Sequence, residues 1–540
     1  MERPLPAAPS PERHQPEMPP TRWGDPDHAP GLGESARALV ELAFGLHPRP
    51  AAAEVELPPS RLAPAHREQL EALLGPDAVR TDDAVRRLRT RGKSTPDLLR
   101  QREGDLDDAP DVVVRPGDHD QVQQVLAWAT RERVAVVPFG GGTSVTGGLV
   151  AHRGDLAGVV SLDLGGLRRL IAVDPVASTA TLEPGLRGPE AEALLAEHGL
   201  MLGHYPQSFE YASIGGFAAT RSSGQSSAGY GRFDALVVGL RVATPVGEVR
   251  LGTAPADAAG PDLRQLFLGS EGAFGVITEV TVRVRPLPQV RVYEGWHWPD
   301  FTTGAEAMRA LAQSDLLPTV LRLSDESETA INLADPGRVG AGQEAAAPSG
   351  GCLMIVGLEG TEAAVAAKRA AVRDVLEAMG GTPLGEGPGA AWAEGRFAGP
   401  YLRDDLLDVG VLVETLETAT FWSNRERLYR DVRAALEAEL GEGTLVLCHI
   451  SHVYPTGCSL YFTVATPGGG DPLARWLPAK AAASEAIVRA GASITHHHAV
   501  GTDHRPWLAA GIGEVGVEVL RAVKARLDPA GVLNPGVLIP

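Results

Sequence analysis

Apolar residues in the first half of the chain recur in short, regular patterns. In residues 120–131 they stand at positions i, i+3, i+4 and i+7, a spacing that predicts an amphipathic helix. The apolar runs at residues 111–114 and 134–138 lie on either side of this helix and predict buried strands. Together the three segments indicate a β-α-β unit.

Similar patterns predict the neighbouring elements. From about Pro288 the composition changes to alanine-rich helical patterns separated by Gly/Pro loops, which indicates a domain boundary at that point. Before this boundary, further helices are predicted at residues 62–74, 81–91 and 190–198, and further strands at residues 159–164, 170–173, 179–183, 236–244 and 276–284.

The charge balance limits the ligands that this protein can bind. Acidic residues outnumber basic residues by 68 to 49, which gives a net charge of -19 and a pI near 5.3. Such a surface disfavours nucleic acids and anionic membranes as partners. An anionic ligand must therefore meet a local basic site.

Other features of the composition indicate a protein of the reducing cytoplasm. The three cysteines form no CxxC pair, so neither a disulfide framework nor a cysteine-rich zinc site is predicted. No apolar stretch approaches 18 residues, and we therefore expect neither a signal peptide nor a membrane span. Seven prolines in residues 1–20 predict a disordered tail.

Five glycines follow the strand predicted at residues 134–138, in the stretch VVPFGGGTSVTGG. A P-loop would need a Lys-Ser/Thr pair after the last glycine, and a dinucleotide fingerprint would need a third glycine where Val145 stands. Without a following helix, the loop can still bind a pyrophosphate through successive backbone N–H groups, because glycine allows close approach. The alternative is a tight structural turn, but the three hydroxyl groups of the stretch favour phosphate binding.

Two later stretches contain the same kinds of residue. Residues 206–231, PQSFEYASIGGFAATRSSGQSSAGYG, have no helical or strand period and predict a loop along an extended ligand. A flexible linker is the alternative, and the apolar residues Ile214, Phe217 and Tyr230 argue against it. Residues 269–286, GSEGAFGVITEVTVRVRP, predict a glycine turn that leads into a strand.

In this order and spacing, the three stretches resemble the FAD-binding domain of the vanillyl-alcohol-oxidase type of flavoprotein. Within that superfamily, residues 20–540 resemble the alkyldihydroxyacetonephosphate synthases, the flavoenzymes of ether-lipid synthesis. The resemblance to this branch rests on further motifs, which are WGDP (23–26), TRGKSTPDLLRQREG (90–104), LRLSD (321–325), YLRDDLLDVG (401–410), ETLETATFW (414–422), CSLYF (458–462) and ITHHHAVG (494–501).

The resemblance implies that FAD binds noncovalently. Superfamily members with covalent flavin use a His or Cys in the first or second loop, and here those loops contain neither. His204, just upstream of the second loop, is the residue that leaves a covalent link open. The implied cofactor-binding residues are Pro138, Phe139, Gly140, Gly141, Gly142, Thr143 and Ser144, expected at the pyrophosphate, and Gln207, Ser208, Phe209, Glu210, Tyr211, Ala212, Ser213, Thr220, Arg221, Ser222, Ser223, Glu271, Gly272, Ala273, Phe274, Gly275, Val276 and Ile277.

Three adjacent histidines follow the short β-like run ASIT, and in an extended segment His496 and His498 would share one face. One interpretation is a metal site, with His449 and His452 as further ligands. Another is an active-site cluster that accepts a proton and holds a phosphate. A third is that His496, His497 and His498 simply lie at the surface. The apolar surroundings favour the active-site cluster, without a metal.

The resemblance also implies roles for individual side chains. Tyr461 is the implied proton donor or acceptor, Arg403 lies in the active site and binds substrate, and Arg322 is needed for activity, with the three histidines assisting. From the residues alone, Tyr461 in the run SLYFTV is more often a packing residue. Arg403 is followed by Asp404 and Asp405 and could equally form a surface ion pair.

The implied reaction uses FAD without net redox change. Acyl-dihydroxyacetone phosphate loses a proton and its fatty acid, the headgroup is held as a flavin N5 adduct, and a long-chain alcohol displaces it to form the ether. Because both substrates carry lipid chains, we expect an apolar tunnel that opens toward a membrane.

Two departures from the family pattern favour an alternative function. Where the synthases have HHHGVGK this chain has HHHAVGTDHRPW, so a lysine near the expected phosphate is missing, Asp503 stands beside its position, and Arg505 could compensate. The ending LDPAGVLNPGVLIP is closer to that of FAD-linked 2-hydroxyacid dehydrogenases of the D-lactate, glycolate or hydroxyglutarate type. Such a dehydrogenase is the alternative function, and a non-catalytic flavin-binding protein is a third.

The predicted fold class is α+β. After the disordered tail (residues 1–20) we expect a helical extension (21–105), a two-part FAD-binding domain (106–287), an α+β substrate or cap domain (288–480) and a C-terminal helical segment (481–540) that returns to the flavin. The protein is expected to be cytoplasmic, with small-molecule or lipid substrates, and the resemblance implies a homodimer. It is expected to bind no nucleic acid, to have no transmembrane span and to contact a membrane peripherally.

Overall fold

Helices and strands are distributed along the whole described chain. The computed structural model describes residues 17–25, 31–49, 51, 55–331 and 350–540. The helices are α1 (Glu34–Phe44), α2 (Pro64–Leu74), α3 (Asp83–Leu88), α4 (Thr95–Glu103), α5 (His119–Glu132), α6 (Gly188–Ala196), α7 (Ile214–Thr220), α8 (Ser227–Tyr230), α9 (Phe233–Leu236), α10 (Arg264–Phe267), α11 (Phe301–Gln313), α12 (Glu326–Ala330), α13 (Glu362–Ala378), α14 (Gly387–Gly395), α15 (Gly399–Asp408), α16 (Arg425–Leu440), α17 (Pro472–Arg489) and α18 (Leu508–Leu527). The strands are β1 (Val79–Arg80), β2 (Val112–Val114), β3 (Ala135–Phe139), β4 (Val159–Asp163), β5 (Leu170–Asp174), β6 (Thr179–Leu182), β7 (Leu200–Met201), β8 (Val237–Thr244), β9 (Gly247–Leu251), β10 (Val276–Arg283), β11 (Arg285–Pro286), β12 (Val290–Trp298), β13 (Val320–Ser324), β14 (Cys352–Gly360), β15 (Thr382–Gly385), β16 (Val411–Phe421), β17 (Leu445–Ile450), β18 (Val453–Tyr454) and β19 (Gly457–Pro467).

The predicted β-α-β unit is confirmed. Strands β2 and β3 are both parallel to β4, in a four-stranded sheet of order β1-β2-β4-β3. Helix α5 connects β2 to β3, and the side chain of Asp118 caps its N-terminus by accepting the N–H of Gln121. The periodic apolar residues Val122, Val125 and Leu126 are fully buried against the sheet, as their spacing predicts.

A second, antiparallel sheet completes the FAD-binding part. Its order is β5-β6-β10-β8-β9, so all the strands predicted between residues 170 and 284 are present. Strand β10 turns Val276, Val280 and Val282 into the interior, because alternate side chains of a strand share one face.

The stretch 206–231, predicted as a loop, contains the helices α7 and α8, so that prediction was wrong. The side chain of Ser213 accepts the N–H of Gly216 and thereby caps α7. Ile214 and Phe217 then bury their side chains in the core of the second sheet. The small residues in IGGFAAT hide the helical period, because their side chains contribute little to an apolar pattern.

The cap domain is an eight-stranded antiparallel sheet with its main layer of helices on one face. The strand order is β15-β12-β14-β13-β17-β19-β16, and β18 pairs with β19. Alternation sends Leu323 and Phe462 toward the helices, into a core with α11, α13, α16 and α17. The intervening residues Arg322 and Tyr461 project from the opposite face. This second face, named the cap face below, looks toward the FAD-binding part.

Both ends of the chain return to this central region. Residues 1–16 of the predicted disordered tail lie outside the described residues, while Met18 is buried against Trp23 and Tyr211. Helix α1 packs against β16 of the cap. Near the other end, Leu533 forms a parallel bridge with Val136 of β3.

Candidate active site

A cavity of about 790 Å³ lies between the FAD-binding part and the cap face. All three predicted cofactor loops line one side of it, and side chains of β13, β16, β17 and β19 line the other. Cavities of this size bury most of the surface of a bound cofactor or substrate. The cavity therefore brings the predicted cofactor loops and the predicted catalytic side chains into one site.

The loop after β3 forms its part of the wall from backbone. A Cβ on Gly140 would lie 2.3 Å from Ser213 Oγ, and a Cβ on Gly141 would lie 1.9 Å from the carbonyl oxygen of Tyr211. Glycine is required at both positions because the first loop presses directly on the second. No helix intervenes before β4, so the loop is neither a P-loop nor a dinucleotide fingerprint.

The second loop reaches the cavity through the first turn of α7. Gly215 and Gly216, just after the capping Ser213, line the cavity wall. Arg221 ends α7 with a φ of +52° and turns away, donating from Nε to the carbonyl of Leu268 at 2.9 Å. The one basic residue of this loop is thus engaged in holding the fold.

The predicted cofactor residues divide into two groups. Those packed behind the loops are Phe139, Phe209, Glu210, Tyr211, Arg221, Ala273 and Phe274. Those on the cavity wall are Pro138, Gly140, Gly141, Gly142, Thr143, Ser144, Gln207, Ser208, Ala212, Ser213, Thr220, Ser222, Ser223, Glu271, Gly272, Gly275, Val276 and Ile277.

The third loop is held by the segment that follows the histidines. The buried carboxylate of Glu271 accepts the backbone N–H groups of Val500 at 3.1 Å and Gly501 at 2.9 Å. Burial raises the pKa of Glu271 to about 7, although these hydrogen bonds act in the opposite direction. Asn534 Nδ2 donates to the carbonyls of Gly148 and Glu271, so it ties the first loop to the third.

His204 does not line the cavity. Its ring lies between Phe217 and Phe233, and its Nε2 is 3.0 Å from Ser222 Oγ. Burial lowers the pKa of His204 to about 3. His204 is therefore a neutral core residue and is not placed to attach a flavin.

The triple histidine is wrapped around a buried carboxylate. Glu417 of β16 accepts the backbone N–H groups of His496 at 2.7 Å, His497 at 3.1 Å and His498 at 2.9 Å. The hydroxyl of Thr495 donates to the same carboxylate at 2.5 Å. Successive N–H groups can converge on one anion only if the backbone curves.

This curvature changes which imidazoles face the cavity. The prediction that His496 and His498 share one face was wrong, because the segment is a turn and not an extended strand. His497 and His498 line the cavity. His496 is buried, with its Nε2 2.6 Å from the hydroxyl of Tyr454.

The imidazoles are held in their neutral form. Burial lowers the pKa of all three, in the case of His498 to about 3, against the opposing effect of the Glu417 carboxylate. Against the effect of burial, the charge that the imidazoles would carry when protonated and the hydroxyl of Thr495 hold the pKa of Glu417 well below its usual range. The cluster can therefore accept a proton, but it does not supply positive charge for a phosphate.

Tyr461 projects from β19 into the cavity beside these histidines. Its ring centroid lies 5.5 Å from that of His498 and 6.2 Å from that of His497. Its other neighbour is His449 of β17, stacked at 4.8 Å with the planes 17° apart. Burial raises the pKa of Tyr461 to about 12, so it is a phenol at neutral pH.

His449 is a cavity residue to which the sequence assigned only a possible role in metal binding. Its Nδ1 is 3.0 Å from Glu328 Oε2 and 3.1 Å from Arg322 Nη2, and that arginine also donates to Glu328 Oε1 at 2.5 Å. The alternation in LVLCHI places His449 on the same face as Leu445 and Leu447, and this pattern could have identified it.

Arg403 also lines the cavity, from α15. Its Nε donates to Asp404 at 2.9 Å and its Nη1 donates to the carbonyl of Lys93 at 2.6 Å. Asp404 is fully buried, and Asp405 pairs with Arg22 instead. The ion pair of Arg403 is thus an internal one at the cavity wall and not a surface pair.

The structure brings His452, and not His449, together with the histidine triplet. One nitrogen each of His452, His496 and His497 lies within 4.8 Å of the others. In the described structure His452 Nδ1 already meets Ser223 Oγ at 3.1 Å, and His496 is bonded to Tyr454.

Arg505 does not replace the lysine that the family has near position 503. It donates to the carbonyl of Gly536 at 2.7 Å. Asp503 is paired instead with Lys480 of α17, whose Nζ lies 2.7 Å from Oδ2. The expected compensation by Arg505 was therefore wrong, and Lys480 neutralises Asp503.

One end of the cavity is apolar. Helix α1 contributes Ala36, Val40 and Phe44 to this end, opposite Val413 and Ala465 of the cap face. The helical extension is thus part of the wall. Among the residues that the structure describes, no helix is both long and apolar enough to cross a membrane.

The sequence matches two protein-family models. Residues 110–252 match the FAD binding domain, and residues 287–538 match the C-terminal domain of FAD linked oxidases. The alkyldihydroxyacetonephosphate synthase of Trypanosoma brucei brucei is 35% identical over 526 residues, covering 93% of this chain and 85% of that protein. The synthase of Dictyostelium discoideum is 33% identical over 504 residues, covering 90% and 82%. The mitochondrial D-lactate dehydrogenase [cytochrome] of Arabidopsis thaliana is 28% identical, covering 80% and 74%.

Solved structures give the same grouping. An alkyldihydroxyacetonephosphate synthase crystallised in P212121 has a TM-score of 0.82 and 29% identity, covering 97% of this chain and 99% of that one. A p-cresol methylhydroxylase with substrate bound has a TM-score of 0.69 at 18% identity, covering 89% and 98%, which shows a shared fold.

Proposed function

Because the chain belongs to the alkyldihydroxyacetonephosphate synthase family of FAD-linked oxidases, we propose that it exchanges the acyl chain of acyl-dihydroxyacetone phosphate for a fatty alcohol. The observation that carries this proposal is the single cavity that joins the cofactor loops, the Tyr461–histidine cluster and an apolar end. An ether-forming exchange of lipid chains needs all three parts in one site.

The walls of the cavity fit FAD. Gly140–Ser144 offer backbone and hydroxyl groups where a side chain at Gly140 or Gly141 would collide with the second loop. Such a surface suits a pyrophosphate, and the cavity-lining cofactor residues include no His or Cys for a covalent bond. When bound, FAD supplies the electrophilic centre that carries the headgroup during the exchange.

The polar part of the cavity contains the residues proposed to accept and donate the substrate proton. Tyr461 is a phenol that can donate a proton, and its histidine neighbours are neutral imidazoles that can accept one, so the site offers both a proton donor and a proton acceptor. We assign the substrate proton to His498 or His497 and the role of proton donor or relay to Tyr461. Arg322 orients His449 against the Tyr461 ring.

The apolar end receives the lipid chains. The side chains of α1 and the facing strands exclude water along this wall, and apolar burial favours both the acyl and the alcohol chain. Leu39 and Leu42, one turn apart on the same helix, are 37% and 86% exposed, and this apolar pair supports a peripheral contact between this end and a membrane. Flotation with neutral vesicles tests this contact, which is lost in Leu42→Glu.

The protein is further proposed to be cytoplasmic and homodimeric. Val515 and Val519 on α18 are 79% and 54% exposed, and burial in a dimer would cover them. Light scattering of the purified protein measures the oligomeric state directly.

A 2-hydroxyacid dehydrogenase remains the second candidate function. The favouring observation is the approach of His452, His496 and His497, whose nitrogens could hold a metal that binds a hydroxyacid. In that case the flavin would accept a hydride.

One anaerobic experiment separates the two functions. The flavin absorbance of the purified holoenzyme is recorded while palmitoyl-dihydroxyacetone phosphate or a panel of 2-hydroxyacids is added. The synthase is supported if only the acyl ketone phosphate bleaches the flavin, and hexadecanol then restores the spectrum and releases an alkyl ether. Bleaching by a hydroxyacid, reversed by an electron acceptor, would instead establish the dehydrogenase.

A further inference from the structure

Four cationic side chains line the cavity, and three of them have their charge engaged within the protein. These four are Lys93, Arg322, Arg396 and Arg403. Lys93 donates to two backbone carbonyls, Arg322 pairs with a glutamate and Arg403 pairs with an aspartate. Arg396 differs, because two of its guanidinium nitrogens are buried without an acceptor among the described residues, against one each in Arg322 and Arg403.

Arg396 is enclosed by aromatic rings. Its guanidinium carbon lies 5.0 Å from the centroid of Tyr205, 5.6 Å from that of Trp392 and 4.9 Å from that of Phe397. The residue is only 6% exposed, and Nε and Nη1 are buried without an acceptor among the described residues. Stacking satisfies the face of a guanidinium but leaves its in-plane N–H groups free.

The backbone of Arg396 is fixed against the FAD-binding part. Its carbonyl oxygen accepts two side-chain amides, from Gln207 and from Gln225, each at 2.9 Å. The ring of Trp392 packs against Val320 of β13, two residues before Arg322 on the same face of that strand. Arg396 is therefore held where the cap face meets the second cofactor loop.

A buried guanidinium without an acceptor is costly, and an anion in the cavity would remove that cost. The planar fork of an arginine matches the oxygens of a phosphate in a bidentate arrangement. The neutral histidines cannot serve this purpose, and the net charge of -19 disfavours anions elsewhere on the protein. Resting on the proposed function, we propose that Arg396 binds the phosphate of the ketone-phosphate headgroup and so selects phosphorylated substrates.

The test uses the FAD-loaded full chain. Isothermal titration with dihydroxyacetone phosphate, inorganic phosphate, palmitate and hexadecanol is carried out on the wild type, Arg396→Met and Arg396→Lys. Arg285→Met is the matched control, because Arg285 stacks on Tyr230 at 3.6 Å, also has a buried Nε without an acceptor in the described chain, and does not line the cavity.

Arg396→Met is expected to weaken both phosphate ligands by roughly 10- to 100-fold, the effect of losing hydrogen bonds to a charged group. Arg396→Lys should weaken the binding of both phosphate ligands less, because lysine keeps the positive charge and loses only the planar, bidentate hydrogen-bonding geometry of the guanidinium. Hexadecanol and palmitate should bind as in the wild type, and KM should rise for the acyl ketone phosphate but not for the alcohol.

Three results would overturn the inference. The first is unchanged phosphate affinity in Arg396→Met. The second is loss of palmitate binding with phosphate binding intact, which would assign Arg396 to a fatty carboxylate. The third is loss of FAD from the variant, which would assign it to the cofactor. If the wild type binds phosphate through Arg396 but forms no ether, the anion site stands and the proposed function fails.

Discussion

The two sides of the cavity are built from different parts of the chain. The cofactor side is made of backbone, with Gly140 and Gly141 pressed against Ser213 and Tyr211. The cap face is made of side chains that alternate along antiparallel strands, such as Tyr461. A site formed by backbone loses its ligand when a substitution adds atoms to it. A site formed by side chains loses its activity when a substitution removes functional groups. The two sides should therefore respond to opposite kinds of substitution.

Adding one carbon to the cofactor side is expected to remove the cofactor, and with it every later step of the reaction. In Gly141→Ala the new Cβ would lie 1.9 Å from the carbonyl of Tyr211, so the first two loops must separate. We expect FAD content to fall at least about tenfold, because the backbone cradle loses its shape. The ratio of flavin to protein absorbance after purification measures this loss.

Gly469→Ala is the matched control, since a Cβ there meets nothing within 4 Å. Full flavin content in Gly141→Ala would show that the two loops do not need their close contact.

Removing one oxygen from the cap face should abolish turnover but leave the cofactor in place. Tyr461→Phe loses the proposed proton donor, and the rate of ether formation should fall by roughly 100- to 10,000-fold. Single-turnover assays on samples of equal FAD content measure the change.

Tyr429→Phe serves for comparison, because Tyr429 lies on the helical side of the same sheet with its hydroxyl on Asp325. It should lose stability but keep its rate per bound FAD. Equal rates for Tyr461→Phe and the wild type would remove Tyr461 from the proton path.

Glu417 combines features of both sides of the cavity, because it is a side chain of the cap face that holds the backbone of the histidine segment in place. In Glu417→Gln the N–H groups of His496, His497 and His498 lose a shared anion, and we expect kcat to fall by roughly 10- to 100-fold. The carboxylate raises the pKa of His497 and His498, so the acidic limb of the pH–rate profile should move to lower pH in the variant. A fall in rate with an unmoved profile would reduce Glu417 to a structural role.

A smaller effect is expected at the apolar end. Ala465→Phe fills space opposite Val40 and Val413, so only long chains should be excluded. We expect kcat/KM for hexadecanol to fall about tenfold while that for a short alcohol changes little. A uniform loss over all chain lengths would place the lipid chain elsewhere.

The last effect is a pH dependence of stability on the cofactor side. The pKa of Glu271 is about 7, above its unfolded value, so its contribution to stability is present at low pH and is lost as pH rises through 7. Between pH 5 and pH 8 the wild type should lose up to about 3 kcal/mol relative to Glu271→Gln. Thermal unfolding of both proteins across this range checks the sign, and parallel curves would contradict it.

The cofactor side could be predicted from sequence because its residues are close together in the chain. The glycines of the first loop and the strand before it lie within 14 residues, and the predicted β-α-β unit is present. Helix α7 was missed since its capping serine and small residues also resemble a loop. The contacts of Glu417 with the histidines span about 80 residues, and Arg396 meets Tyr205 across nearly 200. No local pattern encodes pairs of this kind, which depend on strand order.

The hydrogen bonds of Asn534 determine when the cofactor cradle can close while the protein is being synthesised. Its amide joins the carbonyls of Gly148 and Glu271, so the cofactor cradle contains a part made hundreds of residues after its first loop. A nascent chain can form the β-α-β unit early, but it cannot close the cradle until residue 534 has emerged from the ribosome. A chain stopped short of this asparagine would lack the amide that joins the first loop to the third, so its cofactor cradle would stay open at this point.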